Sequence, residues 1–215
     1  MSYFRELPDF EYQSPFANST GASDYVTAKN IFRRMKLRDD LKNVFTLFNK
    51  YVIDEGERPD TVAEKQYGKS DLDWVVLLSA GIINVRNEWP LSSRDLYNFT
   101  VEKYGLAEKD FVHHYETKEV KDSQNRLILP KGKVVDSNFT IPKPGQPGAT
   151  LNPVVGISNY EHEVRENIKK STISILRRSY LQQFLSDMKK EMTYKRSSQF
   201  VNNNLIRTAN TKLTN

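Results

Sequence analysis

Two short helices set between β-forming runs limit what this chain can fold into. Tyr51, Val52 and Ile53 form a β-branched run that predicts a strand. Pro59 suits the first turn of a helix, where its missing N–H costs nothing. Thr61 and Glu64 have capping-box spacing. Val62, Ala63, Gln66 and Tyr67 then make a helical stripe, and Gly68 supplies a left-handed stop. The grammar repeats with Ser70 and Asp73, an almost wholly apolar run from Leu72 to Leu78, and Gly81. Ile82-Ile83 and Trp89-Pro90 close the stretch. Two helices of about ten residues, one apolar nearly all round, are not stable alone in water. They must pack on each other and on strands. The expected core is therefore Tyr51, Tyr67, Gly68, Leu72, Trp74, Leu77, Leu78, Ile82, Trp89 and Pro90.

A chain of 215 residues fits one domain, or one small domain with long appendages. Its 38% hydrophobic content and mean hydropathy of −0.65 favour a small core with extended arms. Aromatic residues reach 11%, and in a chain with a small core these are often used at interfaces. With no cysteine, thiolate metal sites, disulfides and cysteine nucleophiles are excluded. Residues 1–20 have no apolar stretch of the signal-peptide kind. The longest apolar run, Trp74 to Leu78, is far shorter than the ~20 residues of a membrane span. No membrane association is expected. Thirty-two basic against twenty-seven acidic residues leave a net charge of +5, a mixed surface rather than a nucleic-acid tail.

The expected organisation is α+β: a small βααβ core, an aromatic N-terminal arm, a β-hairpin and a long C-terminal helix. Residues 1–43 read as an extended arm and basic segment, because Tyr3, Phe4, Leu7, Phe10, Tyr12 and Phe16 are interrupted by Pro8 and Pro15. The cluster Arg33, Arg34, Lys36 and Arg38 is expected to be a solvated face rather than a phosphate site. Residues 44–105 form the core module and a following helix, which Ser92 and Asp95 would cap. Residues 106–135 read as a β-hairpin turning near Asp122-Ser123-Gln124-Asn125. Residues 136–157 carry Pro142, Pro144, Pro147, Pro153 and three glycines, so a linker is expected, with the core folding independently of the C-terminal part of the chain. Residues 158–196 open with a capping pair, Ser158 and Glu161. No Pro or Gly occurs between Tyr160 and Tyr194, which predicts one helix about 50 Å long. Its stripe of Tyr180, Phe184, Met188 and Met192, with Ile168, Ile175 and Leu176, exceeds what a small domain can cover. Residues 197–215 read as a flexible polar tail.

Catalytic chemistry finds little support. There is no Gly-rich phosphate loop, nucleophile elbow or zincin motif. Asp71 with Asp73, and Glu55 with Glu57, suit helix starts and solvation. The chain has three histidines, His113, His114 and His162. Adjacent strand residues point to opposite faces, so His113 and His114 are not expected to share an ion. His114 and Glu116 share a face, but two ligands do not make a site. No enzyme activity, metal or cofactor, and no small-molecule substrate, is expected.

Residues 51–91 resemble a LysM-type βααβ module. A more specific likeness rests on Tyr67-Gly68, Leu72-Asp73-Trp74-Val75-Val76-Leu77-Leu78, Ile82-Ile83-Asn84 and Glu88-Trp89-Pro90-Leu91-Ser92. Together with Asn30-Ile31-Phe32-Arg33-Arg34, and with His113-His114-Tyr115-Glu116 and Val120, these resemble the LysM-like baseplate wedge protein 53 family of T-even-type contractile-tailed phages. The resemblance implies a structural subunit of the virion tail baseplate, assembled in the host cytoplasm. Its partners would be other baseplate wedge subunits in a six-fold assembly, and it would help join neighbouring wedges. Candidate interface residues are Phe10, Tyr12 and Phe16 on the arm and Tyr180, Phe184, Met188 and Met192 on the helix. A second possibility is a LysM-type module binding peptidoglycan or N-acetylglucosamine polymers, against which stand the single copy and the apolar helix around Trp74. A third is a basic nucleic-acid-binding protein, whose signature would be strong salt dependence.

Overall fold

The computed structural model describes residues 3–13, 25–37, 44 and 46–208. It is mixed α and β, with short helices and several small sheets. The chain forms two compact units. The first is drawn from Met1–Ile53, Glu57–Glu88 and Ile173–Asn215, the second from Asp54–Gly56 and Trp89–Thr172.

The first unit opens with a helical turn, α1 (Tyr3–Glu6), and strands β1 (Asp9–Gln13) and β2 (Tyr25–Lys29). Strand β3 (Phe48–Val52) leads to α2 (Pro59–Tyr67) and α3 (Asp73–Ala80), with a 3-10 turn at Ser70–Leu72 between the helices. Pro59 stands at the start of α2. Gly68 and Gly81 end the two helices in the left-handed conformation that disfavours any side chain. Neither helix has a side-chain N-cap, so Thr61 and Ser70 do not cap them. Val62, Ala63, Val75 and Val76 are fully buried, and Tyr67, Leu72 and Trp74 nearly so. Tyr51, Leu77, Leu78 and Ile82 are half-buried, and Gly68 is exposed. After Gly81 the chain makes a helical turn, α4 (Val85–Glu88).

The second unit takes up the chain again at Trp89, which is buried; Pro90 is half-buried. Helix α5 (Ser93–Tyr104) follows, and Ser92 Oγ accepts from the Asp95 N–H at 3.2 Å. The segment expected as one hairpin is two. Strand β4 (Val112–Thr117) pairs antiparallel with β7 (Val134–Val135), while β5 (Val120–Lys121) pairs with β6 (Leu127–Leu129). The segment expected as a linker carries strands. Ile141–Pro142 (β8) pairs with Thr150–Leu151 (β9), and β10 (Val154–Ser158) joins β4, giving the order β10-β4-β7. The prolines punctuate these strands without excluding them. Gly156 allows close approach, since a Cβ there would lie 3.2 Å from Val112 Cγ2.

Helix α6 (Asn159–Ser171) starts directly from β10, with Ser158 Oγ accepting from the Glu161 N–H at 3.1 Å. The Asn167 side chain donates to Leu91 O and accepts from Leu91 N. The long helix expected from 160 to 194 does not exist as one element. Helix α6 stops, and Thr172–Leu176 forms strand β11, which pairs with β3. The cause is local and tertiary together. Thr172, Ile173 and Ile175 are β-branched, and pairing buries Ile173, Ile175 and Leu176. The strand completing the β3 pair thus comes from more than a hundred positions downstream, not from the closing segment after Gly81. The Tyr67 hydroxyl donates to Leu176 O at 2.8 Å across this core.

Helix α7 (Leu181–Glu191) follows a 3-10 turn at Arg178–Tyr180. Strands β12 (Phe200–Asn202) and β13 (Leu205–Arg207) replace the first part of the expected polar tail, turning at Asn203-Asn204. Residues 209–215 lie outside the described residues. Strand β13 pairs parallel with β1, which pairs antiparallel with β2, so the sheet order is β12-β13-β1-β2. The N-terminal segment is therefore built into a sheet and is not a free arm.

Candidate functional site

A bulge in the second unit gathers its histidines. Strand β10 matches Ile157 to His114 and Ser158 to Val112, leaving His113 without a partner on β10. An extra residue of this kind bends a strand and re-aims a side chain. The strict alternation expected for His113 and His114 fails here for that reason. Their Nδ1 atoms lie 2.8 Å apart. The Ser158 cap fixes the start of α6 and sets His162 in its first turn, where its ring stacks on His113 at 4.0 Å and 7°. One nitrogen from each of the three rings lies within 4.8 Å of the others. Nothing in the spacing of His162 from His113 marks them as neighbours. The link runs through the β10–β4 pairing, which sequence periodicity does not specify.

Charged groups orient the cluster. His114 Nε2 lies 3.1 Å from Glu116 Oε1, and Glu116 Oε2 accepts from Arg165 at 2.6 Å. The Arg165 hydrogen bond, aided by His114, holds the Glu116 carboxyl below its usual range. An ionised carboxylate only accepts, so His114 Nε2 donates to Glu116. Arg165 also binds Glu161 at 2.5 Å. His113 is lowered by its partial burial and by the neighbouring His162 and His114 rings. Glu163, on the same helix, receives hydrogen bonds from Lys103 at 2.7 Å and Tyr104 at 2.8 Å. Burial raises its pKa, but these donors together outweigh it, and the group ends below its ordinary value. The three histidines, Glu116 and Arg165 line an open cleft of about 800 Å³ with Val134 beyond them.

The first unit holds the candidate partner residues. Register places Phe10, Tyr12, Val26, Ala28, Phe200 and Ile206 on one face of the four-stranded sheet. None of the six is buried, and the Phe10 and Tyr12 rings lie 5.7 Å apart. The opposite face carries the ion pairs Asp9–Lys29 and Glu11–Arg207. Phe16 lies outside the described residues. The α7 stripe faces its own unit. Met188 and Met192 are buried, and Phe184 stacks on Trp74 with centroids 6.0 Å apart. Tyr180 is half-buried. A stripe that looked too long for a small domain is divided, because the strand β11 interrupts it and the remaining three turns fit the core.

Arg33, from the basic cluster, is structural. Its guanidinium donates to Glu191 O at 2.7 Å and Thr193 O at 3.0 Å, satisfying carbonyls at the end of α7. It also lies 5.2 Å from the Tyr194 ring centroid. Among the described residues no helix is long and apolar enough to cross a membrane.

A comparison with curated proteins returns no match. The family model described as base plate wedge protein 53 matches residues 4–134, which spans both sheet-forming strands of the N-terminal segment, the two-helix core, and β4 up to the first residue of its pairing partner β7. By that match, which covers more than half its length, the chain belongs to the phage base plate wedge protein 53 family.

Proposed function

We propose that this chain is a non-catalytic structural subunit that links wedge proteins to one another and helps join neighbouring wedges into a six-fold tail baseplate. Membership of a baseplate wedge family carries this reading. The apolar sheet face of the first unit supplies a surface suited to it. Phe10, Tyr12 and Val26 offer aromatic and branched area without burial in the chain's own core, the composition that protein interfaces favour. The mechanism would be geometric, with separate surfaces on one chain engaging different partners. Linking two contacts in this way raises local concentration without requiring either to be strong.

The test is co-assembly. The purified chain is mixed with candidate wedge subunits and the products are sized. Phe10→Asp with Val26→Asp places unpaired charge in an apolar contact and should abolish the complex. The double variant should still melt cooperatively, since neither side chain is in the core. Normal complex formation by that variant would remove the sheet face from the interface. Saturable, salt-insensitive binding to peptidoglycan oligomers with no wedge complex would favour the glycan-binding alternative.

A further inference from the structure

We propose that His113, His114 and His162 form a binding site for one zinc-class divalent transition metal ion, with a fourth position open to the cleft. Imidazole nitrogen is the ligand that zinc, nickel, cobalt and copper share. Three protein ligands with one open position is an established zinc arrangement. An ion about 2.0–2.1 Å from three tetrahedrally placed nitrogens needs them about 3.3 Å apart. Here His113 and His114 present their Nδ1 atoms at 2.8 Å, and all three ligand atoms fall within 4.8 Å. Turning the rings about χ2, a soft torsion for imidazole, closes the difference.

The surroundings support binding rather than mere proximity. A metal-bound histidine usually donates its other N–H to a carboxylate, which fixes the tautomer and raises the basicity of the ligand nitrogen. His114 has this arrangement with Glu116, and Arg165 holds Glu116 in turn. Two lone pairs 2.8 Å apart repel unless something positive sits between them. A proton shared between the two rings, or a metal ion, fills that position. Three cations line the cleft, Lys131, Arg165 and Lys169, and two of them are held by carboxylates. Arg165 is paired with Glu116 and Glu161, and Lys169 with Glu166. Two of the ligands lie on a strand and its bulge and the third on a helix anchored by Ser158, so the frame is set by backbone structure.

The experiment uses the full chain without a polyhistidine tag, stripped with chelator. Zn²⁺ is titrated by calorimetry, and Co²⁺ by its visible absorption, whose intensity distinguishes tetrahedral from octahedral coordination. One ion per chain is expected, with a tetrahedral Co²⁺ spectrum and a zinc-dependent rise in melting temperature. His113→Ala, His114→Ala and His162→Ala should each weaken binding at least tenfold. Glu116→Gln should weaken it about 10–100-fold through His114. The three alanine variants remove half-buried or exposed rings, so their metal-free melting temperatures should match the parent, which separates lost binding from lost folding. Absence of 1:1 binding by the parent would overturn the site. Binding that survives unchanged in His162→Ala would do so too, by assigning the ion to other surface groups.

Discussion

The Tyr67 hydroxyl lies inside the first unit, bonded to Leu176 O at 2.8 Å. Tyr67→Phe keeps the ring but leaves that carbonyl without its donor, and should cost about 1–3 kcal/mol in denaturant melts. Burial pushes the Tyr67 phenol above its ordinary value of 10.0. The folded form therefore holds this proton more tightly than the unfolded chain does. Its contribution is complete below pH about 10 and is lost as pH rises beyond it. Urea melts between pH 8 and 11 should show a steeper fall for the parent than for Tyr67→Phe; equal slopes would assign the alkaline loss elsewhere. Trp74 lies 5.6 Å from Tyr3 and 6.0 Å from Phe184, centroid to centroid. Trp74→Ala should cost about 3–5 kcal/mol. A change of a degree or two in melting temperature would show that this packing carries little. The setting of Trp74 was legible because its helix has no polar face from Trp74 to Leu78. The histidine cluster was not, because a bulge is a property of a strand pair and cannot be seen along one strand.

At the scale of elements, helix stops written in the local sequence were legible and tertiary pairings were not. Pro59, Gly68 and Gly81 act through their own backbone torsions, so their effect travels with the residue. Nothing of that kind separates α6 from β11, because the cause of the break is the β3 edge that Ile173 and Ile175 meet. Substitution can distinguish the two descriptions of this segment. In one continuous helix Ile168 and Ile175, seven positions apart, would share a face and respond alike. In the structure Ile175 is 1% exposed and Ile168 is 62% exposed. Ile175→Ala should cost about 2–5 kcal/mol, whereas Ile168→Ala should stay within about 0.5 kcal/mol. Comparable losses at both sites would restore the continuous helix. Ser158 tests the cap that sets His162 in place. Ser158→Ala should cost about 1 kcal/mol, while Ser158→Asp should retain the cap and the stability.

For the whole molecule, the division into units does not follow chain order. The first unit takes three separate stretches, and the last, Ile173–Asn215, carries β11, α7, β12 and β13. The α+β class could be read from the sequence, but a separable C-terminal helix behind a linker could not survive this arrangement. Truncation at Gly156 removes the partner of β3 together with Ile175, Leu176 and Met188. The shortened chain should lose cooperative melting and expose apolar surface, measured by calorimetry and dye binding. A sharp transition in the truncated chain would show that residues 44–88 hold together without it. The parallel pairing of β1 with β13 also has a consequence for how the protein is made. Glu11 and Arg207, joined at 2.7 Å, are 196 positions apart. At about 5–20 residues per second, some 10–40 s separate the synthesis of one from that of the other. Throughout that interval the β1 edge facing β13 has no partner of its own, and the sheet closes only when the ribosome has delivered its last strand. A chain terminated before Leu205 then never displays the completed Phe10–Ile206 surface.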